Sequence, residues 1–410
     1  MYNQDTFLDA ATVESVVAQT VDELTPRNVF HFNSPRQAVV GEGSILTIGK
    51  LLRQQRVKHV FAVVDKTVHE LGLLSSTLRC LKRANIDCTV FSGVEREPTT
   101  EVVEQALAML TRCDADFVLG FGGGSAMDAA KAVAVMKSCN CSVDELTDPG
   151  FEGRRSLGLG AVPTTAGTGS EVTDISVILH IDERRKFVAK LPDLMPDLAI
   201  IDPGLMLGLP PLITAATGID ALTHAIESYV SASANPLTRA LATSAITGIH
   251  NELPTAVGSG GCMPARLGMA VAAYKAGLAF CNAGLGLVHA IAHQVGAQYG
   301  IPHGVANGIL LPYVMEFNAL VCRSQFAAIA QAMGVARESM NEREQCDASI
   351  AAVRQLLRDI GLPESLSDYG ARLDDFSELA NEALQDICVE SNPRNVTKAD
   401  VMQLLERATS

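Results

Sequence analysis

The chain has 410 residues, enough for two or three domains whose core needs no disulfide or metal staples. Its charge is 32 − 46 = −14, which excludes a general binder of nucleic acid or of anionic lipid surfaces. With 48% hydrophobic and 19% charged residues it has the composition of a folded globular protein, not a disordered one.

In chain order, the first feature is residues 1–24. Val13, Val16, Val17, Val21 and Leu24 fall on one helical face with acids opposite, which predicts a terminal helix that packs on the body or docks to a partner. This stretch lacks the basic start and apolar block of a secretory leader. Val39-Val40 reads as a first strand. Val60 to Val64 reads as a buried strand ending at Asp65, Leu73 to Ala84 as a helix, and Cys88 to Phe91 as the next strand. Thr99 to Thr111 is apolar at helical spacing, Asp116 to Gly120 is a strand, and a helix runs from Ser125 to Met136 after a glycine cluster. Strands alternating with helices predict a doubly wound parallel sheet.

After Asp202 strand signals stop. Pro211 to Val230, Pro236 to Glu252, Pro264 to Cys281, Leu287 to Tyr299, Val305 to Cys322, Ser324 to Met333, Cys346 to Ile360 and Phe376 to Val389 all read as helices, several opened by Pro or a capping residue. The expected organisation is an extension over 1–30, an α/β domain over 31–202 and an all-helical domain over 203–410. No apolar run is expected to reach the ~18 residues that cross a bilayer; Met269 to Ile291 is broken by Lys275, Asn282 and His289. The 10 cysteines include no CxxC pair, which fits a reduced, cytoplasmic setting and argues against a cysteine metal site.

Three segments carry chemistry. Gly120-Phe121-Gly122-Gly123-Gly124-Ser125, with Asp128 and Lys131 following, lies where a strand turns into a helix. Such a turn offers free backbone N–H groups and the positive end of a helix dipole, which suit phosphate. It is neither a GxGxxG fingerprint nor a Walker loop. The loop Pro163 to Glu171 is dense in hydroxyls and small residues, which can donate to phosphate, ribose or a carboxamide. Asp65, at a strand end, can pair with ribose hydroxyls and would repel a 2′-phosphate; by itself it reads as a helix cap. Third, Asp220 and His224 are four apart on one helix, His289 and His293 four apart on another, and His303 follows in a Pro-His-Gly turn. Three imidazoles and a carboxylate suit Fe(II) or Zn(II).

On these residues the chain resembles the iron-containing (group III) alcohol dehydrogenases, from about Phe32 to Ala408. The motifs are Gly122-Gly123-Gly124-Ser125-x-x-Asp128-x-x-Lys131, Pro163 to Glu171, Gly218-x-Asp220-Ala221-Leu222-x-His224-Ala225-x-Glu227, His289-Ala290-x-Ala292-His293, Pro302-His303-Gly304 and Ser391 to Arg394. Ala283 to Leu287, Leu310 to Asn318 and Asp386-Ile387-Cys388 are worded most like the ethanolamine-utilisation branch. The resemblance implies an α/β dinucleotide-binding domain, a helical metal-binding domain and an active site in the cleft between them. It places metal ligands at Asp220, His224, His289 and His303, with Fe(II) the first choice and Zn(II) equally allowed by ligand chemistry. It places NAD(H) contacts at Asp65, Gly123, Gly124, Ser125, Thr164, Thr165, Thr168, Val177 and Lys186. Asp128 and His293 come near the nicotinamide as catalytic candidates, His293 as a proton relay.

The expected reaction interconverts a short-chain primary alcohol and its aldehyde, such as ethanol and acetaldehyde, with Phe280 on the pocket wall. A homodimer is expected, and a bacterial microcompartment is a candidate location through the N-terminal helix. Rival readings are a hydroxyacid–oxoacid transhydrogenase, a lactaldehyde/propanediol oxidoreductase and a dehydroquinate-synthase-like lyase. The lyase needs several cations for its substrate, and Asp202 to His303 offers only Arg239, Arg266 and Lys275.

Overall fold

The alternating first half folds as β1 (Gln37–Val40), α1 (Ile48–Gln54), β2 (His59–Asp65), α2 (Lys66–Glu70), α3 (Ser75–Arg83), β3 (Asp87–Val94), α4 (Thr100–Thr111), β4 (Phe117–Gly122), α5 (Gly124–Cys139), α6 (Val143–Leu146), β5 (Gly158–Pro163), β6 (Ile175–His180), β7 (Arg185–Lys190) and β8 (Leu198–Ile201). The computed structural model describes residues 29–95, 97–148, 150–180 and 185–409, so the helix expected in 1–24 lies outside the described residues.

Six strands form a parallel sheet in the order β1-β8-β5-β4-β2-β3. Helices on both faces explain why central strands read as unbroken apolar runs. All six residues of β4 are buried. Phe61, Val63 and Val118 pack with α4 and α5 on one face, while Val60, Ala62, Val64, Phe117 and Phe121 pack with α1 and α3 on the other. Burying each of these Val and Phe side chains contributes roughly 1.5–3 kcal/mol. The chain winds outward from β2 to β3 on one side and from β4 to β5 on the other. The crevice where winding reverses, beyond the carboxyl ends of β2 and β4, is where ligands bind in open α/β sheets. Asp65 ends β2 there and Gly122 ends β4. A methyl on Gly122, whose φ is +150°, would stand 2.9 Å from Asp65 Cβ.

Strand β5 was not legible as a strand. Its Gly158 and Gly160 leave room for the Phe117 ring, which a methyl at either position would meet at 2.4 and 2.8 Å. β6 and β7 form a separate antiparallel pair with Leu179 opposite Lys186.

From Pro211 onward every regular element is helical: α7 (Pro211–Val230), α8 (Pro236–Gly258), α9 (Met263–Ala283), α10 (Leu287–Tyr299), α11 (His303–Ala332), α12 (Glu342–Asp359), α13 (Phe376–Ala383) and α14 (Lys398–Thr409). They share one core, from Ala215 to Ala408. The two helices expected over 305–322 and 324–333 are one, kinked at Cys322. The helix expected from Phe376 to Val389 stops at Ala383 and resumes as a 3-10 turn over Ile387–Ser391. Contrary to the expectation from the sequence, α11 is long and apolar enough to cross a membrane, with mean hydropathy 1.4 over its best window. That window is 72% buried inside the protein, which is the character of a core helix.

Candidate active site

The five acidic and histidine side chains singled out in the second half converge in the cleft between sheet and helices. Asp220 and His224 project from the same face of α7, His289 and His293 from α10, and His303 opens α11. Asp220 Oδ1 lies 3.6 Å from His224 Nε2, 3.7 Å from His289 Nε2 and 3.4 Å from His303 Nε2. These separations are too long for hydrogen bonds. A tetrahedral cation with bonds of about 2.1 Å spaces its donors about 3.4 Å apart; Asp220, His224 and His289 bring ligand atoms within 4.8 Å of one another, and His303 Nε2 stands at matching distance from Asp220. Asp220, His224 and His289 are buried, while His303 is about a third exposed and opens to the cleft. The His224 ring stacks on Phe280 at 4.3 Å and on His289 at 4.7 Å.

Two residues absent from the candidate set complete this centre. Glu227 lies seven residues after Asp220 on α7. It accepts from His289 Nδ1 at 2.6 Å and from the Val288 backbone N–H at 2.7 Å. One carboxylate thereby caps α10 and fixes the tautomer that turns the His289 Nε2 lone pair inward. Asn307, one turn after His303, donates from Nδ2 to Asp220 Oδ1 at 2.8 Å and lies 3.2 Å from Nε2 of both His289 and His303. Its Oδ1 is buried without a partner. Glu227 stood inside a quoted motif. Asn307 carried only its i+4 spacing from His303.

Without a cation the histidines differ. Burial pushes His224 down to about 4, and desolvation pushes His303 well below the usual imidazole range. Burial also opposes charge on His289, but the adjoining Asp220 and Glu227 carboxylates, the latter hydrogen-bonded to Nδ1, outweigh it and raise His289 to about 9. Burial disfavours the Asp220 carboxylate, yet the surrounding histidines hold it below the usual range. The centre therefore concentrates negative potential on one buried oxygen.

His293 stands apart from this set. Its Nδ1 is 2.7 Å from Asp386 Oδ2, and its ring stacks against His303 at 5.3 Å. Cys388 brings a third donor atom nearby, all within 4.8 Å. The 2.7 Å contact is a hydrogen bond, too close for both atoms to ligate one tetrahedral ion. Asp386 is held down at about 2, because the His293 bond and charge outweigh its burial. Asp386 also takes the Cys388 N–H at 2.9 Å, so the segment 386–388 orients the His293 ring.

Across the cleft, α5 begins at the glycine cluster with no side-chain cap on its N-terminus. Thr165 Oγ1 is buried without a hydrogen-bond partner and stands 4.0 Å from where a Cβ on Gly123 would be. An uncapped helix N-terminus beside an orphaned hydroxyl fits a phosphate group. Thr164 is buried, its N–H held by Gly122 O at 2.9 Å. Asp65 caps α2 by accepting from Val68 N–H at 3.0 Å. A cavity of about 250 Å³ joins the two halves of the site. Gly124, Ser125, Asp128, Thr168, Val177 and Lys186 line one side, and Asp220, His224, Phe280, His289, His293 and His303 the other. Asp65, Gly123, Thr164 and Thr165 lie outside its lining.

Asp128 is committed to the fold. Its Oδ1 accepts from Ser170 Oγ at 2.5 Å, its Oδ2 accepts from Val177 N–H at 3.1 Å, and Lys131 Nζ lies 3.7 Å away. Lys131, 1% exposed, donates to Thr173 Oγ1 and to Ile175 O, so the pair ties α5 to β6. Burial raises the Asp128 carboxyl and lowers the Lys131 ammonium.

The chain is similar to known proteins over nearly its whole length. Residues 35–203 match the family model described as iron-containing alcohol dehydrogenase, and residues 214–409 match that of the C-terminal part of the Fe-containing alcohol dehydrogenase family. The chain is 41% identical over 399 residues to a protein of Salmonella typhimurium named "Probable alcohol dehydrogenase EutG", covering 97% of this chain and 99% of that one. It is 34% identical over 378 residues to the NAD-dependent methanol dehydrogenase of Bacillus methanolicus, covering 92% and 99%. A crystal structure of 1,3-propanediol oxidoreductase superposes with a TM-score of 0.91 at 37% identity, covering 93% of this chain and 100% of that one.

Proposed function

Since the chain belongs to the iron-containing alcohol dehydrogenase family, we propose that it interconverts short-chain primary alcohols and aldehydes with NAD(H) and one divalent cation, Fe(II). The observation that carries this reading is the Asp220 oxygen with three imidazole nitrogens 3.4–3.7 Å from it, facing an uncapped helix N-terminus across one cavity. When bound, the cation supplies Lewis-acid polarisation of the substrate oxygen and the nicotinamide supplies or accepts the hydride.

The chain's own residues do the rest. Asp220, His224, His289 and His303 hold the cation, with Glu227 setting the His289 tautomer. The α5 N-terminus and Thr165 receive the pyrophosphate side of NAD(H). Thr168, Val177 and Lys186 bound the nicotinamide side, and Asp65 meets the adenine-side ribose, which favours NAD over NADP. Asp128 acts by fixing Ser170 and Val177. Phe280 walls the substrate pocket and braces the His224 ring. His293 is the proton relay: Asp386 holds Nδ1–H and leaves Nε2 to exchange a proton with solvent or substrate.

Arg266 donates to Gly260 O and Thr214 Oγ1, Lys275 to Ser244, and neither they nor Arg239 lines the cavity. That disfavours the lyase reading. Relatives of this chain include lactaldehyde reductase of Escherichia coli, so short diols stand beside ethanol as candidate substrates. We place the enzyme in the cytoplasm as a homodimer. Support for the dimer comes from β1 at the sheet edge with Val40 exposed and Leu46 exposed just beyond it. The ethanolamine-utilisation wording of Ala283 to Leu287, Leu310 to Asn318 and Asp386 to Cys388 supports microcompartment association, and deletion of residues 1–24 with unchanged localisation would remove a docking role for them.

His289→Ala tests the reading. It should abolish tight Fe(II) binding and alcohol oxidation together while the protein stays folded by circular dichroism. Full activity in a metal-free His289→Ala protein would overturn it.

A further inference from the structure

Glu97, the partner of Lys186 at the cavity, has no part in the proposed reaction. Glu97 lies between β3 and α4, and its neighbours are fastened to β6. Leu179 N–H donates to Pro98 O at 2.9 Å, and Thr99 bridges to Leu179. Leu179 pairs in turn with Lys186 on β7. This register sets Glu97 Oε1 2.6 Å from Lys186 Nζ, with both residues lining the cavity.

We propose that Glu97 sets the charge selectivity of the cavity by neutralising Lys186, so that uncharged aldehydes and alcohols are accepted and carboxylate-bearing ones are rejected; this rests on the dehydrogenase reading above. Among the described residues lining the cavity, Lys186 is the one lysine or arginine. Lys186 and His303 line the same cavity, so the lysine charge faces the reacting end. The carboxylate Asp128 is already matched by Lys131 behind the wall. With the aldehyde oxygen turned toward the metal-binding side, an anionic far end therefore meets no unpaired lysine or arginine, and an unpaired charge in a partly dry site is costly. An ammonium carries three N–H donors, so pairing with Glu97 cancels the charge of Lys186 while leaving donors for ribose hydroxyls.

The test uses full-length, Fe(II)-loaded protein with NADH and two four-carbon aldehydes, butanal and 4-oxobutanoate. In Glu97→Gln and Glu97→Ala, the ratio of kcat/KM for 4-oxobutanoate to that for butanal should rise by about tenfold or more, chiefly through KM. Glu97→Asp should return the ratio toward wild type. The KM for 4-oxobutanoate in Glu97→Gln should climb with salt. Ratios within twofold of wild type in both Glu97→Gln and Glu97→Ala would overturn the assignment. If wild type turned over no butanal, the dehydrogenase reading would fail instead. Calorimetric binding of 4-oxobutanoate would then decide on Glu97 alone: about tenfold tighter binding to Glu97→Gln supports its role, and equal binding refutes it.

Discussion

Replacing Gly304 with alanine should dismantle the metal centre through a single methyl. Gly304 follows His303 at the start of α11. A Cβ there would stand 2.0 Å from the Ala216 carbonyl oxygen and 2.6 Å from its carbon. Ala216 belongs to α7, one turn before Asp220. Ordinary contact begins at about 3.4 Å, so the helices must separate by roughly 3.4 − 2.0 = 1.4 Å. The obstacle is backbone in the middle of a packed helix, so no rotamer change relieves it. His303, now 3.4 Å from Asp220 Oδ1, would be carried out of ligand range, because metal bonds tolerate only about 0.2 Å. A misplacement of about 1 Å costs on the order of 10²-fold in rate, and loss of one of the four ligands should weaken Fe(II) binding at least as much. The assay is iron content after anaerobic loading and desalting, with kcat on ethanol and a melting curve. Gly258→Ala is the control, since a methyl there meets nothing within 4 Å. Wild-type iron content and turnover in Gly304→Ala would refute the packing argument.

Further outcomes follow from the same contacts. Glu227→Ala should lower Fe(II) affinity about 10–100-fold in a chelator competition, because it frees the His289 tautomer and uncaps α10. Asp128→Ala should lower unfolding free energy in urea by about 3–5 kcal/mol, because it strands the buried Lys131 charge. Asp386→Asn should cost about 2–3 kcal/mol at neutral pH, from (3.8 − 2) pKa units at about 1.4 kcal/mol each. Its folded pKa is depressed, so that stability is present in wild type above about pH 4 and lost as pH falls through about 2. A wild-type-minus-variant difference that grew toward low pH would contradict the His293–Asp386 pairing.

Helices α7 and α10 were legible as carriers of the candidate site because i, i+4 spacing puts two polar side chains on one helix face. Asp220/His224 and His289/His293 announce a shared face before any fold is known. Glu227 and Asn307 were harder, since a buried carboxylate or amide is ordinary in sequence and acquires meaning only when α7, α10 and α11 meet. Among strands, β2 and β4 were visible as unbroken apolar runs, whereas β5 hid behind two glycines that serve the Phe117 ring and a proline at its end. The short β8, Leu198–Ile201, resembles a fragment of any buried element. Helix α14 was missed although Val401, Leu404, Leu405 and Ala408, all buried, carry helical spacing. The ring of apolar residues around α11 concealed a span long enough for a bilayer, because alternate polar positions such as Asn307 and Asn318 interrupt any simple run.

The proposed reaction is a cation-dependent hydride exchange between NADH and a short aldehyde in the cleft. The most direct measurement is anaerobic NADH oxidation with acetaldehyde by Fe(II)-loaded protein, beside a sample stripped with chelator and then reloaded. Turnover should appear in the loaded sample, vanish on stripping and return on reloading. Undiminished turnover in the stripped protein, with iron verified absent, would contradict that reaction.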